Sequence, residues 1–192
     1  MDRVTRRIVG YVAVVGLLAA AVFFFLPWPP GWLHLVVAAL FLLPGRLQGV
    51  LWRDFFRGRH AMNRQDFAGA EKHFLLFLDK LKQRPRLRHA AFLAWNFYTW
   101  NPEAMTRSNL GACRLVLGKL DAAEPELKEA RDLDPGSPLP YFNLAVLAHA
   151  RGAESEAERL RALAAQFGYR AATRERLISA AGGALAAVEG RF

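Results

Sequence analysis

The chain has few of the residues from which chemical centres are built. Its 192 residues include a single cysteine, Cys113, which excludes an internal disulfide. The lack of a disulfide is compatible with a reducing cytoplasm. The five histidines form no HExxH pair and stand with no cysteine at zinc-ligand spacing. No glycine-rich phosphate loop followed by lysine occurs, and no GxSxG motif. We therefore expect no metal, no cofactor and no enzymatic activity.

Acidic residues are scarce in one half of the chain. Residues 1–100 contain 14 basic and 5 acidic residues, whereas residues 101–192 contain 12 of each. The net charge of +9 therefore arises entirely in the first half. Because the second half is neutral, we do not expect nucleic acid as a partner. The basic residues instead fit membrane orientation and attraction to anionic lipid.

Charge is absent from the 19 residues between Ile8 and Leu26. As a helix this run would reach roughly 28 Å, close to the hydrocarbon core of a bilayer. A second apolar run, 32–43, crosses only if its helix continues to about residue 52. We expect a transmembrane hairpin within residues 1–52, with spans at about 8–26 and 32–52. The alternatives are a cleaved signal peptide for the first run and a short re-entrant or interfacial helix for the second.

Basic residues flank this predicted hairpin on both outer sides and are missing from its turn, residues 27–31. The positive-inside rule then places both ends, and everything after the hairpin, on the cytoplasmic side of a membrane, which we expect to be a bacterial inner membrane. Tryptophans near the predicted span ends suit an interfacial belt, and Arg46 suits snorkelling toward the headgroups. The predicted membrane-interface residues of this segment are Trp28, Trp32, Arg46 and Trp52.

A repeat of 34 residues occupies the second half. Asn109-Leu110-Gly111 recurs as Asn143-Leu144-Ala145, and later small residues recur at the same distance: Gly118 and Gly152, Ala123 and Ala157, Ala130 and Ala164. A fixed period in this range is typical of stacked helical hairpins that cover one another's apolar sides. The chain is therefore predicted to be all-α.

These units resemble the tetratricopeptide repeat family. Two units fill residues 102–171, and a divergent copy fills residues 53–84. The matches are Leu110, Gly111, Gly118, Leu120, Ala123, Leu127, Ala130 and Pro135; then Leu144, Ala145, Ala148, Gly152, Ala157 and Ala164, with Arg161 where a large apolar residue is usual; and in the divergent copy Gly58, Phe67, Ala70, Phe74 and Phe77. The resemblance implies a short helix-turn-helix solenoid that binds a protein or peptide, with residues 172–192 as a capping helix.

In this family the first helix of each unit lines a concave face. Asn109 and Asn143 occupy the same position of successive first helices, where asparagines pair with the backbone of an extended peptide. The equally weighted alternative is that they cap or cross-link neighbouring helices. The other residues expected to border this mostly apolar groove, which suits an amphipathic helix or an apolar peptide, are Met105, Ala112, Val116, Leu139, Phe142, Val146 and His149.

Residues 85–101 interrupt the repeats. Arg86 and Arg88, together with Arg84 just before the segment, precede five large aromatic residues, including Trp95 and Trp100. Cationic residues beside aromatics are typical of a segment lying on a membrane surface. The alternative is an extra helix that packs its aromatics into the repeat core.

The sequence thus predicts a membrane-anchored, non-catalytic adaptor or scaffold whose repeat groove recruits a protein partner at the cytoplasmic face. The alternative is a structural subunit or assembly factor of a larger membrane complex. In that case the hairpin, with small patches at Gly10 and Gly16, would make the important contacts.

Overall fold

The computed structural model describes residues 46–88 and 101–190, together with residues 9–10, 13–14, 16–17, 20–21 and 32. These residues lie in helices, turns and short connections and include no β-strand, so the all-α prediction is confirmed for them. The helices from residue 53 onward are α1 (Arg53–Asn63), α2 (Phe67–Gln83), α3 (Pro102–Val116), α4 (Leu120–Leu133), α5 (Pro138–Ala150), α6 (Glu154–Gln166) and α7 (Arg174–Val188).

The first six helices form three hairpins: α1 with α2, α3 with α4, and α5 with α6. Each hairpin packs on the next, and α7 packs on α5 and reaches α3. The loops inside the hairpins each put one residue in the left-handed region: Gln65 at φ 62°, Gly118 at φ 70° and Gly152 at φ 77°. Such a residue ends a helix and reverses the chain, so one turn geometry builds all three hairpins.

Corresponding small residues are buried in all three hairpins. Ala70, Ala123 and Ala157 are 0–1% exposed and occupy the same place in α2, α4 and α6. Seven residues further along the same face of each helix, Phe77, Ala130 and Ala164 are fully buried. The first hairpin therefore has the register of the other two, although its sequence match is weaker.

In each of the first two hairpins, one glycine lets the two helices of that hairpin pack closely. A β-carbon at Gly58 would lie 2.7 Å from the ring of Phe74, and one at Gly111 would lie 2.4 Å from Leu127. Both distances are shorter than real contacts, so a side chain at either position would push the helices apart.

The third hairpin differs where Arg161 stands in place of Phe74 and Leu127. The guanidinium of Arg161 donates from Nη1 to the carbonyl of Ala172 at 2.6 Å and pairs with Glu158 at 2.6 Å. The side chain thus leaves the hairpin core and fastens α6 to the chain that leads into α7. This contact explains why a cation is accepted at a position expected to be apolar.

Aromatic side chains build the core of the first hairpin. Trp52 lies 5.9 Å from Phe55 and 5.7 Å from Phe77, measured between ring centroids, and its indole donates to the carbonyl of Leu87 at 3.3 Å. Only 1% of Trp52 is exposed. The expected interfacial position of Trp52 is therefore corrected: its ring and its N–H are both engaged within the repeat region.

The predicted spans, about 8–26 and 32–52, lie largely outside the described residues. Among the residues that the structure does describe, no helix is both long enough and apolar enough to cross a bilayer. Val9, Val14, Leu17 and Trp32 are helical and more than half exposed, and Arg46 is exposed. The remaining predicted interface residues, Trp28, Trp95 and Trp100, lie outside the described ranges.

Candidate functional site

The residues predicted to bind a partner lie on α3 and α5, two helices that contact each other. Met105, Asn109, Ala112 and Val116 belong to α3; Leu139, Phe142, Asn143, Val146 and His149 belong to α5. The structure therefore brings both predicted sets onto neighbouring helices, as a shared surface requires.

The two asparagines differ in what they contact. The amide of Asn143 donates from Nδ2 to the carbonyl oxygen of Ser108 at 3.3 Å and lies 3.5 Å from its hydroxyl oxygen. Asn143 therefore cross-links α5 to α3, as the second interpretation of these residues predicted. The Nδ2 of Asn109 is buried and has no hydrogen-bond partner among the described residues. A buried donor left unpaired costs free energy, and burial also keeps this nitrogen out of reach of an acceptor on another molecule.

The apolar residues of the predicted groove divide by exposure. Met105, Phe142 and Val146 are only 3–6% exposed, so their assignment to an open surface is corrected. Phe142 packs edge-on against Tyr169, with the ring centroids 5.1 Å apart. Val116 is 40% exposed. The accessible part of the predicted surface consists of Val116 with the partly exposed side chains of Ala112, Leu139, Asn143 and His149.

Helix α7 accounts for part of this burial. Leu177, Ala181 and Ala184 are its buried residues, and the first two share a core cluster with Phe142 and Val146. The far end of α7 meets the loop after α3, where a β-carbon at Gly118 would lie 2.7 Å from the amide nitrogen of Val188. The C-terminal helix thus contacts both α5 and the end of α3. It therefore packs on the second hairpin as well as on the last one.

A group of ion pairs, which we call the ion cluster, was not foreseen from the sequence. It is centred on Arg107 and Arg114, which lie seven residues apart on one side of α3. Both guanidiniums bind the carboxylate of Glu126 on α4: Arg107 Nη1 lies 2.6 Å from Oε2, and Arg114 Nη1 lies 3.1 Å from Oε1. Its other members are Glu71, Glu103, Lys119 and Glu129.

The ion cluster joins the first hairpin to the second. Arg114 Nε lies 2.9 Å from Oε1 of Glu71 on α2, and Lys119 Nζ lies 2.6 Å from its Oε2. Burial disfavours the charge of Glu71, but hydrogen bonds from Lys119 and Arg114 outweigh burial and lower its pKa below the ordinary 4.5. These groups fix how one hairpin meets the next.

The spacing of the two arginines was the available signal for this cluster. Residues seven apart share one face of a helix, and Glu126 and Glu129 follow on the next helix. Helical patterns of this kind more often form solvated faces, and only the stacking of α2 against α3 brings Glu71 within reach.

Within residues 46–88 and 101–190 and the few described positions before them, no group of three or more potential metal ligands is found. No protein-family model, curated protein or solved structure matches the chain.

Proposed function

We propose that the chain is a membrane-anchored adaptor of the tetratricopeptide type, which binds a protein partner along α3 and α5. The observation that carries this proposal is the likeness of the three hairpins, which share one loop geometry and one set of buried small positions. Stacked hairpins of this kind present extended surfaces, and such surfaces bind rather than catalyse.

The accessible part of the α3–α5 surface has the composition of a peptide site. Val116, Ala112 and Leu139 supply apolar area, and His149 supplies a polar group at its edge. An apolar segment of the partner fits these features best.

Exposed apolar helix residues support the membrane anchor. Val9 and Val14 are 51% and 57% exposed, and Leu17 is 71% exposed. Exposed aliphatic side chains in a charge-free stretch of sequence are favourable in a hydrocarbon environment and costly in water. We propose that residues 8–26 and the second apolar run, 32–43, anchor the repeats to the cytoplasmic face of a bacterial inner membrane.

Site-specific crosslinking of the full chain in its native membrane tests the adaptor function. A photoreactive phenylalanine analogue at Val116 or His149 should yield one discrete crosslinked protein. The same analogue at Lys128, an exposed residue of α4, is the matched control and should yield none of that product. Crosslinking only to lipid and to other copies of the chain, or equally from Lys128, would count against a partner on this surface.

A structural subunit of a larger membrane complex is the second candidate. Gly10 and Gly16 favour it, because no residue that the structure describes comes within 4 Å of a β-carbon built at either, and small residues let another helix pack closely. Exchanging residues 8–45 for an unrelated hairpin separates the two candidates while retaining Trp52 and its contacts. Loss of the native complex favours the subunit, and retention of the crosslinked partner favours the adaptor.

A further inference from the structure

The first hairpin concentrates positive charge on its surface. Residues 46–88 contain eleven basic side chains, all exposed, and four acidic ones. The four carboxylates are already engaged: Asp54 pairs with Lys80, Asp66 accepts from the amide of Gly69, Glu71 belongs to the ion cluster, and Asp79 accepts from Gln83. The surface of this hairpin is therefore strongly cationic.

Part of this charge converges at one end of the hairpin. The Asp54–Lys80 ion pair joins the start of α1 to the last turns of α2. The hydrogen bond from Trp52 to Leu87 fastens the short turn after α2 to the same end. The exposed basic residues of the chain segments that border these two contacts, which we call the basic end, are Arg46, Arg53, Lys82, Arg84 and Arg86.

Exposed aliphatic residues stand among these cations. Leu47 is 53% exposed and Val50 is 73% exposed, in the helical residues that precede α1. Arginines interleaved with exposed aliphatic side chains are typical of a helix in the headgroup region of a membrane, where the stems contact acyl chains and the charges contact phosphates. A surface that binds nucleic-acid phosphates does not need these exposed aliphatic side chains. The basic end also directly follows the second apolar run of the sequence.

We propose that the basic end binds the phosphates of anionic phospholipids on the surface of the bilayer. This proposal rests on the membrane anchoring proposed above and names the lipid chemistry that accompanies it. Each basic residue near an anionic surface strengthens attachment about fivefold, so loss of three should weaken it about 100-fold. The attraction is electrostatic and is screened within about 10 Å at 0.1 M salt.

Native mass spectrometry of the full chain in uncharged detergent provides the test. Phosphatidylglycerol and phosphatidylcholine are added separately, and the concentration that half-saturates the chain is measured for each. The variant carries Arg53→Gln, Lys82→Gln and Arg84→Gln; the matched control carries Arg170→Gln, Arg174→Gln and Arg176→Gln, which removes equal charge from exposed residues near and in α7. We expect a preference for phosphatidylglycerol that falls about 100-fold in the variant and persists in the control.

Any other outcome of the lipid titration would overturn the lipid site or both proposals. Equal binding of the two lipids by the native chain, or equal losses in variant and control, would overturn the lipid site and leave the anchor standing. Failure to bind either lipid would overturn both proposals. Displacement of phosphatidylglycerol by a 20-base-pair DNA duplex, but not by 10 mM phosphate, would assign the basic end to nucleic acid and overturn the lipid site.

Discussion

Arg114 of α3 donates from Nε to Oε1 of Glu71 on α2 across 2.9 Å, and this contact spans 43 residues of sequence. Both side chains are only 14% exposed. The pair therefore sits at the junction of two hairpins, where solvent screens it little. Arg114 also reaches Glu126, so its loss would leave each of these two carboxylates with one counter-ion instead of two: Lys119 for Glu71 and Arg107 for Glu126.

Removal of the Arg114 charge should lower stability substantially. We expect Arg114→Gln to reduce the free energy of unfolding by about 2 kcal/mol, because two partly buried carboxylates each lose one of their two charged hydrogen-bond donors. Urea unfolding of the full chain in detergent, followed by circular dichroism, measures the change. Arg159→Gln is the matched control, since Arg159 forms a surface ion pair with Glu156 and is 63% exposed; it should change the stability far less. Equal losses at the two sites would contradict a special role for Arg114.

Glu71 should make stability depend on pH in the acidic range. Because its pKa is lowered in the folded protein, the ionised form stabilises the fold above the ordinary pKa of 4.5. That contribution is lost as the pH falls through the folded pKa, when the proton disrupts both ion pairs. We expect the urea midpoint of the native chain to drop more steeply below pH 4.5 than that of Glu71→Gln. Glu154→Gln, at an exposed carboxylate of α6, should leave the slope of the native chain unchanged.

Cys113 should be inert in the native protein. Burial, assisted by the charge of Glu71, raises the pKa of its thiol to about 12, and the side chain is fully buried. Because the thiolate is the reactive form, a disulfide reagent at pH 8 should label the chain only after unfolding. The thiol released in urea should amount to one per chain, which makes Cys113 a reporter of opening around α3. Rapid labelling without denaturant would show that this part of α3 opens in the native state.

Gly118 and Gly152 form a matched pair for the docking of α7. Both have positive φ, so alanine should strain the backbone at either by about 1 kcal/mol. Only at Gly118 would the new methyl group also strike α7, 2.7 Å from Val188 N and 2.8 Å from Ala187 C. We therefore expect Gly118→Ala, but not Gly152→Ala, to release the end of α7.

Limited trypsin digestion measures that release. Arg174 and Arg176 lie in the first turn of α7, and their cleavage requires local unfolding of the helix. Cleavage there should accelerate several-fold in Gly118→Ala relative to Gly152→Ala. Equal rates in the two variants would mean that α7 holds its position without the contact at Gly118.

The repeat itself could be predicted from sequence because its cause is local. Gly111 and Ala123 are small for reasons that their own hairpin fixes, and a period of 34 residues reveals such positions directly. The divergent copy could also be recognised in the sequence, from Gly58 and Phe74, which pack against each other as Gly111 and Leu127 do.

The candidate site was harder to predict, because the exposure of a residue depends on distant parts of the chain. Met105, Phe142 and Val146 were expected to border a groove, but packing between hairpins and with α7 buries them. Trp52 suited a membrane interface by its position after an apolar run, and only the tertiary structure gives its indole a carbonyl acceptor, at Leu87. The membrane spans and the segment holding Trp95 and Trp100 stay predictions.

The burial of Trp52 ties the first hairpin closely to the segment that precedes it. A flexible tether would let the hairpins range several nanometres from that segment, over a distance that grows with the square root of tether length. Here residues 46–51 are helical, and the next residue, Trp52, is buried in the core of the first hairpin. If the apolar run 32–43 lies in a bilayer, as proposed, a partner bound by the repeats must itself lie close to that membrane.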